Sequence, residues 1–228
     1  MKETKNNIPN YIEEAYQEFI SEMKKFRTLI ITAREYILSS PINSNKENAV
    51  PYLQISLVSL FLRQAIELLI FSNLLIDKRK YEIIPKCKNW RIKDVIQGIE
   101  EVNKNWFPKA IIIIEKEWTT EEINNLKIDT NCQPKKHIWV YKKTINKDDI
   151  CHFYDYLSNF IHYENHFKKS KEWSNKNFIQ NTLLKLFDIC SSLMHLTNTF
   201  TIQISSTDFM FYVNINNNGI NGNIFQKK

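Results

Sequence analysis

Ala110-Ile111-Ile112-Ile113-Ile114 can be read as a short buried strand or as a turn of helix, and a run this brief has no period that decides between them. Downstream, Thr119-Thr120-Glu121-Glu122 has the form of a helix start, with a threonine cap and acids in the first turn. Ile138-Trp139-Val140-Tyr141 has strand-like composition. The stretch from Trp106 to Trp139 is the least legible part of the chain, and the segments on either side of it are clearer.

Upstream, Tyr11 to Leu38 is amphipathic. Ile12, Ala15, Tyr16, Phe19, Met23, Phe26, Ile30, Ala33 and Ile37 recur at helical spacing, and Glu13, Glu14, Glu18 and Lys25 mark the wet face. Ser39-Ser40-Pro41 ends it, because a residue before proline is pushed out of the α region. Pro51 to Ile76 is a second helix, apolar on nearly every side, as a central helix is. Arg91 to Asn103 reads as a third, weakened at Gly98 by about 1 kcal/mol relative to alanine.

Downstream, Asn146 is a plausible cap for a helix that runs to about Lys168, with Ile150, Phe153, Tyr154, Leu157, Phe160 and Ile161 as its apolar stripe. Asn177 to about Ile202 is the last long helix. Beyond Thr207 the period changes to two, through Phe209, Phe211, Val213 and Ile215. Asn217-Asn218-Gly219 then signals a turn. The fold expected from this reading is all-α: a bundle of about five main helices over residues 10–203, followed by a small C-terminal β-hairpin or flexible tail over 204–228. An isolated hairpin is marginal in water, so it must find something to pack on or stay disordered.

Hydrophobic residues make up 43% of the 228-residue chain, enough for a globular core. Glycine occurs only 3 times, and neither a Gly-x-Gly-x-x-Gly nor a Gly-Lys-Ser/Thr motif is present, which removes the usual dinucleotide and nucleoside-triphosphate fingerprints. The formal charge of +6 suits a phosphate-bearing partner; abundant Lys, Asn and Ile are equally what an AT-biased genome encodes. Cysteines at 87, 132, 151 and 190 form no Cys-x-x-Cys pair, and Met1 to Pro9 lacks an apolar export core. Reduced thiols and a cytoplasmic location are therefore expected. Leu53 to Ile76 is apolar enough to raise a membrane question, but Arg63, Gln64 and Glu67 at its middle argue for a core helix and no membrane.

Two polar interruptions stand out in these apolar helices. Arg63 and Glu67 lie four residues apart, where Glu67 could hold the guanidinium for bidentate phosphate binding or simply satisfy it as an ion pair. The other is Ser158-Asn159-Phe160-Ile161-His162. An imidazole near neutrality can move a proton to or from a ribose oxygen, with Ser158 or Asn159 orienting the ring or the phosphate. The alternative is a core histidine bonded to Ser158 one turn back. His166 follows His162 by one turn, but the His-Glu-x-x-His order is missing, so no metal and no cofactor are expected. Lys135, Lys136, Lys142 and Lys143 interleave with Trp139 and Tyr141, a pattern that could hold RNA phosphates and stack bases, or form an exposed loop with one or two anchoring aromatics.

Arg63-x-x-x-Glu67 in an apolar helix, followed by Tyr154, Leu157, Ser158 and His162 on another, resembles HEPN-type helical domains of the phage-defence, abortive-infection and uncharacterised branches. The resemblance covers about residues 10–203 and implies a bundle that homodimerises with its site at the dimer groove. It also implies an intracellular defence or toxin-system protein acting on RNA, in many members a metal-independent endoribonuclease with a cognate regulator. Other members are non-catalytic interaction modules. The ribonuclease members carry Arg and His on one helix; here Asp155, Tyr156 and Leu157 stand at that spacing before His162. Arg63 would have to substitute from a second helix, with His162 as acid or base.

Overall fold

The structure is a computed structural model that describes residues 8–39, 50–76, 78–88, 91–127, 135–161, 175–204, 209–216 and 219–226. In it the isoleucine run is a strand, β1 (Lys109–Glu117). A helix (α5, Thr120–Leu126) and then β2 (Lys135–Tyr141) follow. β2 pairs antiparallel with β1 from Ile111↔Tyr141 to Glu117↔Lys135. Four consecutive β-branched residues fit a pleated ladder better than a helix, and cross-strand pairs such as Ile113↔Trp139 and Ile112↔Val140 supply the contacts that stabilise it. Thr119 does cap α5, in a reciprocal box with Glu122.

The helices are α1 (Asn10–Leu38), α2 (Val50–Ile76), α3 (Lys78–Tyr81) and, after a 3-10 turn at Pro85–Lys88, α4 (Ile92–Val102). Among the described residues, α6 (Lys147–Ile161) and α7 (Lys176–Thr197) complete them. Asn146 caps α6 as read from the sequence: its Oδ1 accepts from the backbone N–H of Asp148 (2.7 Å) and Asp149 (3.1 Å), and its own N–H donates to Asp149. The extension of this helix to Lys168 lies outside the described residues. α7 stops short of the expected Ile202. Thr199–Gln203 is instead β3, which pairs with β4 (Phe209–Asn216), and β4 pairs with β5 (Gly219–Gln226).

The expected all-α bundle with only a small hairpin is therefore corrected. The hairpin exists, but as the outer part of a five-stranded antiparallel sheet of order β2-β1-β3-β4-β5, so the molecule is a mixed α/β protein. β1 joins the two halves of the sheet. Its first residues pair with β3 (Lys109↔Thr201, Ala110↔Phe200) and the rest with β2. β2 and β4 are three strand spacings apart, about 14 Å in a flat sheet. Even so, Trp139 stacks on Tyr212 at 5.4 Å and meets Phe225 edge-on at 5.1 Å, so the β1–β2 ribbon curls over the outer face of the meander.

The inner face packs on helix. Phe200 and Phe211 are fully buried and meet Phe19 of α1 at 6.3 and 5.9 Å, and Tyr16 meets Phe211 edge-on at 5.0 Å. Burial of each ring is worth roughly 1.5–3 kcal/mol, which is what anchors a hairpin that would be marginal alone. Gly222 allows the Tyr16 hydroxyl to lie against β5, where a Cβ would collide with it. At the centre, α2 buries Ile55, Val58, Leu62, Ile66 and Leu69 against α1, α6, α7 and α4. Tyr52–Ile76 is long and apolar enough to cross a membrane, yet half of that window is buried inside the fold, as in a core helix.

Candidate functional site

α2 and α6 lie side by side, and the Ser56 hydroxyl of α2 donates to the Phe160 carbonyl of α6 at 2.9 Å. Two turns along, the polar interruptions of α2 meet α6. Arg63 Nε donates to Glu67 Oε1 at 3.2 Å, and the Tyr154 hydroxyl donates to the same oxygen at 2.9 Å. The Arg63 guanidinium lies over the Tyr154 ring at 4.7 Å. Glu67 thus receives two donors while Arg63 is held by charge and by ring stacking. The pair is not sealed in, since the side chains are 24% and 31% exposed. Burial, followed by the bond to Glu67, raises the Tyr154 phenol above its ordinary range, so Tyr154 acts as a donor at neutral pH.

Arg63, Tyr154 and Ser158 line one groove of about 440 Å³ with Arg91, Lys93 and Cys151. Its far wall is the start of α4. Lys93 is bound to Asp155 at 2.8 Å, whereas Arg91 is exposed and makes no side-chain hydrogen bond or ion pair among the described residues. The Arg63–Glu67 and Lys93–Asp155 pairs each cancel, and the remaining charges of the lining are Arg91 and Asp94. Arg91 escaped the sequence reading. The available signal was a cation at a helix N-terminus, where the macrodipole disfavours one and where Arg91 supplies no side-chain cap.

The other expected site residues are dispersed. The Ser158 hydroxyl, in the groove lining, donates back to the Tyr154 carbonyl at 2.8 Å. Asn159 is exposed, with Nδ2 donating to the Asp155 carbonyl at 3.2 Å. His162, His166 and Cys132 lie outside the described residues. The lysines of the basic run sit on the β1–β2 ribbon, away from the groove. Lys135 pairs with Glu115 at 3.5 Å. Lys136 binds Glu122 at 2.5 Å and lies 5.8 Å from the Trp118 ring centre. Lys136, with the Thr119 cap, holds the Glu122 carboxyl down at about 2. Lys142 and Lys143 are exposed. Trp139, half-buried, packs on Tyr212 and Phe225 and so anchors the ribbon.

Cys151 is half-buried at the rim of the groove, and burial raises its thiol. Among the described residues no cluster of His, Cys, Asp and Glu could hold a metal ion. Fold and groove together describe a mixed α/β protein with an arginine-lined cleft between three helices. Compared with known proteins, the chain matches no family model, no curated protein and no solved structure.

Proposed function

We propose that the protein acts on RNA, binding a phosphodiester in the groove between α2, α4 and α6, as a HEPN-like cytoplasmic defence or toxin-system protein whose helical core carries an added sheet. The observation that supports this reading is that Arg63, Arg91 and Ser158 line one open groove. Arg63 is pre-oriented by Glu67 and Tyr154, and Arg91, exposed on the same groove, is a second guanidinium within it for a phosphate. In the catalytic form of the reading, the ribose 2′-oxygen attacks the adjacent phosphorus and the 5′-oxygen leaves, giving a 2′,3′-cyclic phosphate. His162, next in sequence to the last residue of α6, moves a proton in that exchange, and the arginines offset charge on the phosphoryl oxygens.

The test is metal-free incubation of the protein with total RNA and tRNA beside Arg63→Ala, Arg91→Ala and His162→Ala, with binding measured on the same samples. Cyclic-phosphate ends lost in all three variants establish the ribonuclease. Binding that falls in Arg91→Ala with no cleavage in any sample leaves an RNA-binding protein. No binding and no cleavage sink the reading.

A second reading, a non-catalytic module that homodimerises or docks a cognate regulator, is favoured by a different feature. Leu29, Leu68 and Phe71 line a groove of about 500 Å³ between α1 and α2, with Lys25 and Glu67 at its rim. Sedimentation of the wild type and of Phe71→Asp separates the two. A dimer that dissociates in the variant supports the module, and a monomer at all concentrations removes the homodimer.

A further inference from the structure

We infer that the pocket between α1, the end of α7 and β4 is a binding site for a small organic carboxylate: an anionic head between Arg27 and Arg34 and an apolar body of a few carbons inside. The pocket encloses about 260 Å³. That lies just below the range of about 300–1,000 Å³ usual for drug-sized ligands, so the occupant is small. Phe26, Ile30, Met194 and Ile215 give it apolar walls. Arg27 and Arg34, two turns apart on one helix face, provide its cations.

The charge arrangement carries the inference. Elsewhere, half-buried cations face carboxylates: Arg63 faces Glu67, Lys136 faces Glu122 and Lys147 faces Glu100. Here none does. Among the described residues the lining contains no Asp or Glu. The helical neighbours of Arg27 are Met23, Lys24, Ile30 and Ile31, and those of Arg34 are Ile30, Ile31, Ile37 and Leu38, so no acid stands where an intrahelical pair would place it. Arg27 is part-buried, and among the described residues its side chain donates to a neutral acceptor, the Gly219 carbonyl, at 3.0 Å. Arg34 makes no side-chain hydrogen bond or ion pair among the described residues. The Asn198 side chain is likewise without a bond there, while its backbone carbonyl accepts from Ile215 at 2.7 Å. Two guanidiniums and an amide around an apolar cavity match a carboxylate with a hydrocarbon body: the head takes charge-assisted, bidentate bonds and the body fills the walls. Inorganic phosphate satisfies only the first demand, and an alcohol only the second.

The competing explanation is that the arginines merely offset the negative end of the α7 dipole. Calorimetric titration of the full chain with benzoate, hexanoate, 1-hexanol and inorganic phosphate decides, with thermal unfolding on the same samples. Saturable binding of a carboxylate is expected, about tenfold or more tighter than hexanol or phosphate, with a matching rise in the unfolding midpoint. Arg34 is exposed, so Arg34→Gln should fold normally; it should weaken carboxylate binding about tenfold, and Arg34→Lys should restore part of it. No carboxylate binding at tens of millimolar, binding unchanged in Arg34→Gln, or phosphate bound as tightly as the carboxylates would each overturn the assignment. The dipole explanation holds if Arg34→Gln lowers the ligand-free midpoint and no carboxylate raises that of the wild type.

Discussion

Gly98→Ala sets two effects of known sign against each other. Alanine in a helix interior is favoured over glycine by about 1 kcal/mol, so on propensity alone the change stabilises α4. The 3-10 turn at Pro85–Lys88 opposes it. A Cβ on Gly98 would stand 2.6 Å from Cys87 Sγ, 3.1 Å from the Cys87 backbone nitrogen and 3.2 Å from Lys86 Cβ. Three close contacts from one short turn cannot be relieved by rotating a single side chain. Overpacking of this kind costs about 1–3 kcal/mol, so the net expectation is destabilisation by about 1 kcal/mol, a drop of about 2–4 °C in Tm for a chain of this size. Urea unfolding followed by circular dichroism measures it. Cys87→Ala removes the worst contact and leaves the others, so the same glycine change in that background should be close to neutral. The cycle should then return a coupling of about 1 kcal/mol. Should Gly98→Ala raise stability by about the full propensity gain in the wild-type background, the turn does not press on the helix and the reasoning fails. The outcome bears on the groove as well, because α4 carries Arg91 and Lys93.

Tyr154→Phe keeps the ring under Arg63 and removes one donor from Glu67; a loss of about 1 kcal/mol is expected, at the lower end for a bond to a charged acceptor because the cluster is partly wet. A weaker RNA complex without loss of stability would show that the hydroxyl touches ligand instead of Glu67. Trp139→Ala strips the contact that curls the ribbon over the meander, and should cost about 2–4 kcal/mol by chemical denaturation, less than full core truncation because the ring is half-buried. Glu122 has its carboxyl held down at about 2, below the ordinary carboxylate range, by the Lys136 bond and the Thr119 cap. Its contribution is therefore complete above the unfolded value and fades as pH falls through the folded one. Unfolding midpoints of wild type and Glu122→Gln should differ at pH 6 and converge near pH 2, and a difference that grows on acidification would reverse the sign.

Helices with long amphipathic or wholly apolar patterns were legible in the sequence, and so were the caps at Thr119 and Asn146, because those signals are local. The sheet was not. Ala110 and Ile111 pair or pack with residues distant in sequence, and a short isoleucine run has no period of its own, so only the partner strands identify it. The end of α7 was misread for a related reason: Thr199 to Ile202 continues an apolar pattern whose β-branched residues matter only once Phe200 meets Val213. At the candidate site, Arg63 and Glu67 could be picked out as polar residues in an apolar helix, while Tyr154 read as part of an apolar stripe, its hydroxyl bond to Glu67 being a property of the fold. Arg91 was missed, since its place in the same groove as Arg63 and Ser158 is a property of the fold.

The placement of β1 has a consequence for how the chain assembles. It leaves the ribosome between α4 and α6, yet its inner neighbour β3 and the strands beyond arrive only after α7. Until then α1, the first element made, keeps Tyr16 and Phe19 without their covering rings, and the β1–β2 ribbon has an open edge. Its Ile112, Ile114 and Val140 stay more than a third exposed even in the finished fold. Closure between such distant segments is slow and leaves adhesive surface unprotected in the meantime. Deletion of β3 to β5 would thus do more than shorten the sheet. It would return the chain permanently to that intermediate, and insolubility on expression would follow before any loss of activity could be scored.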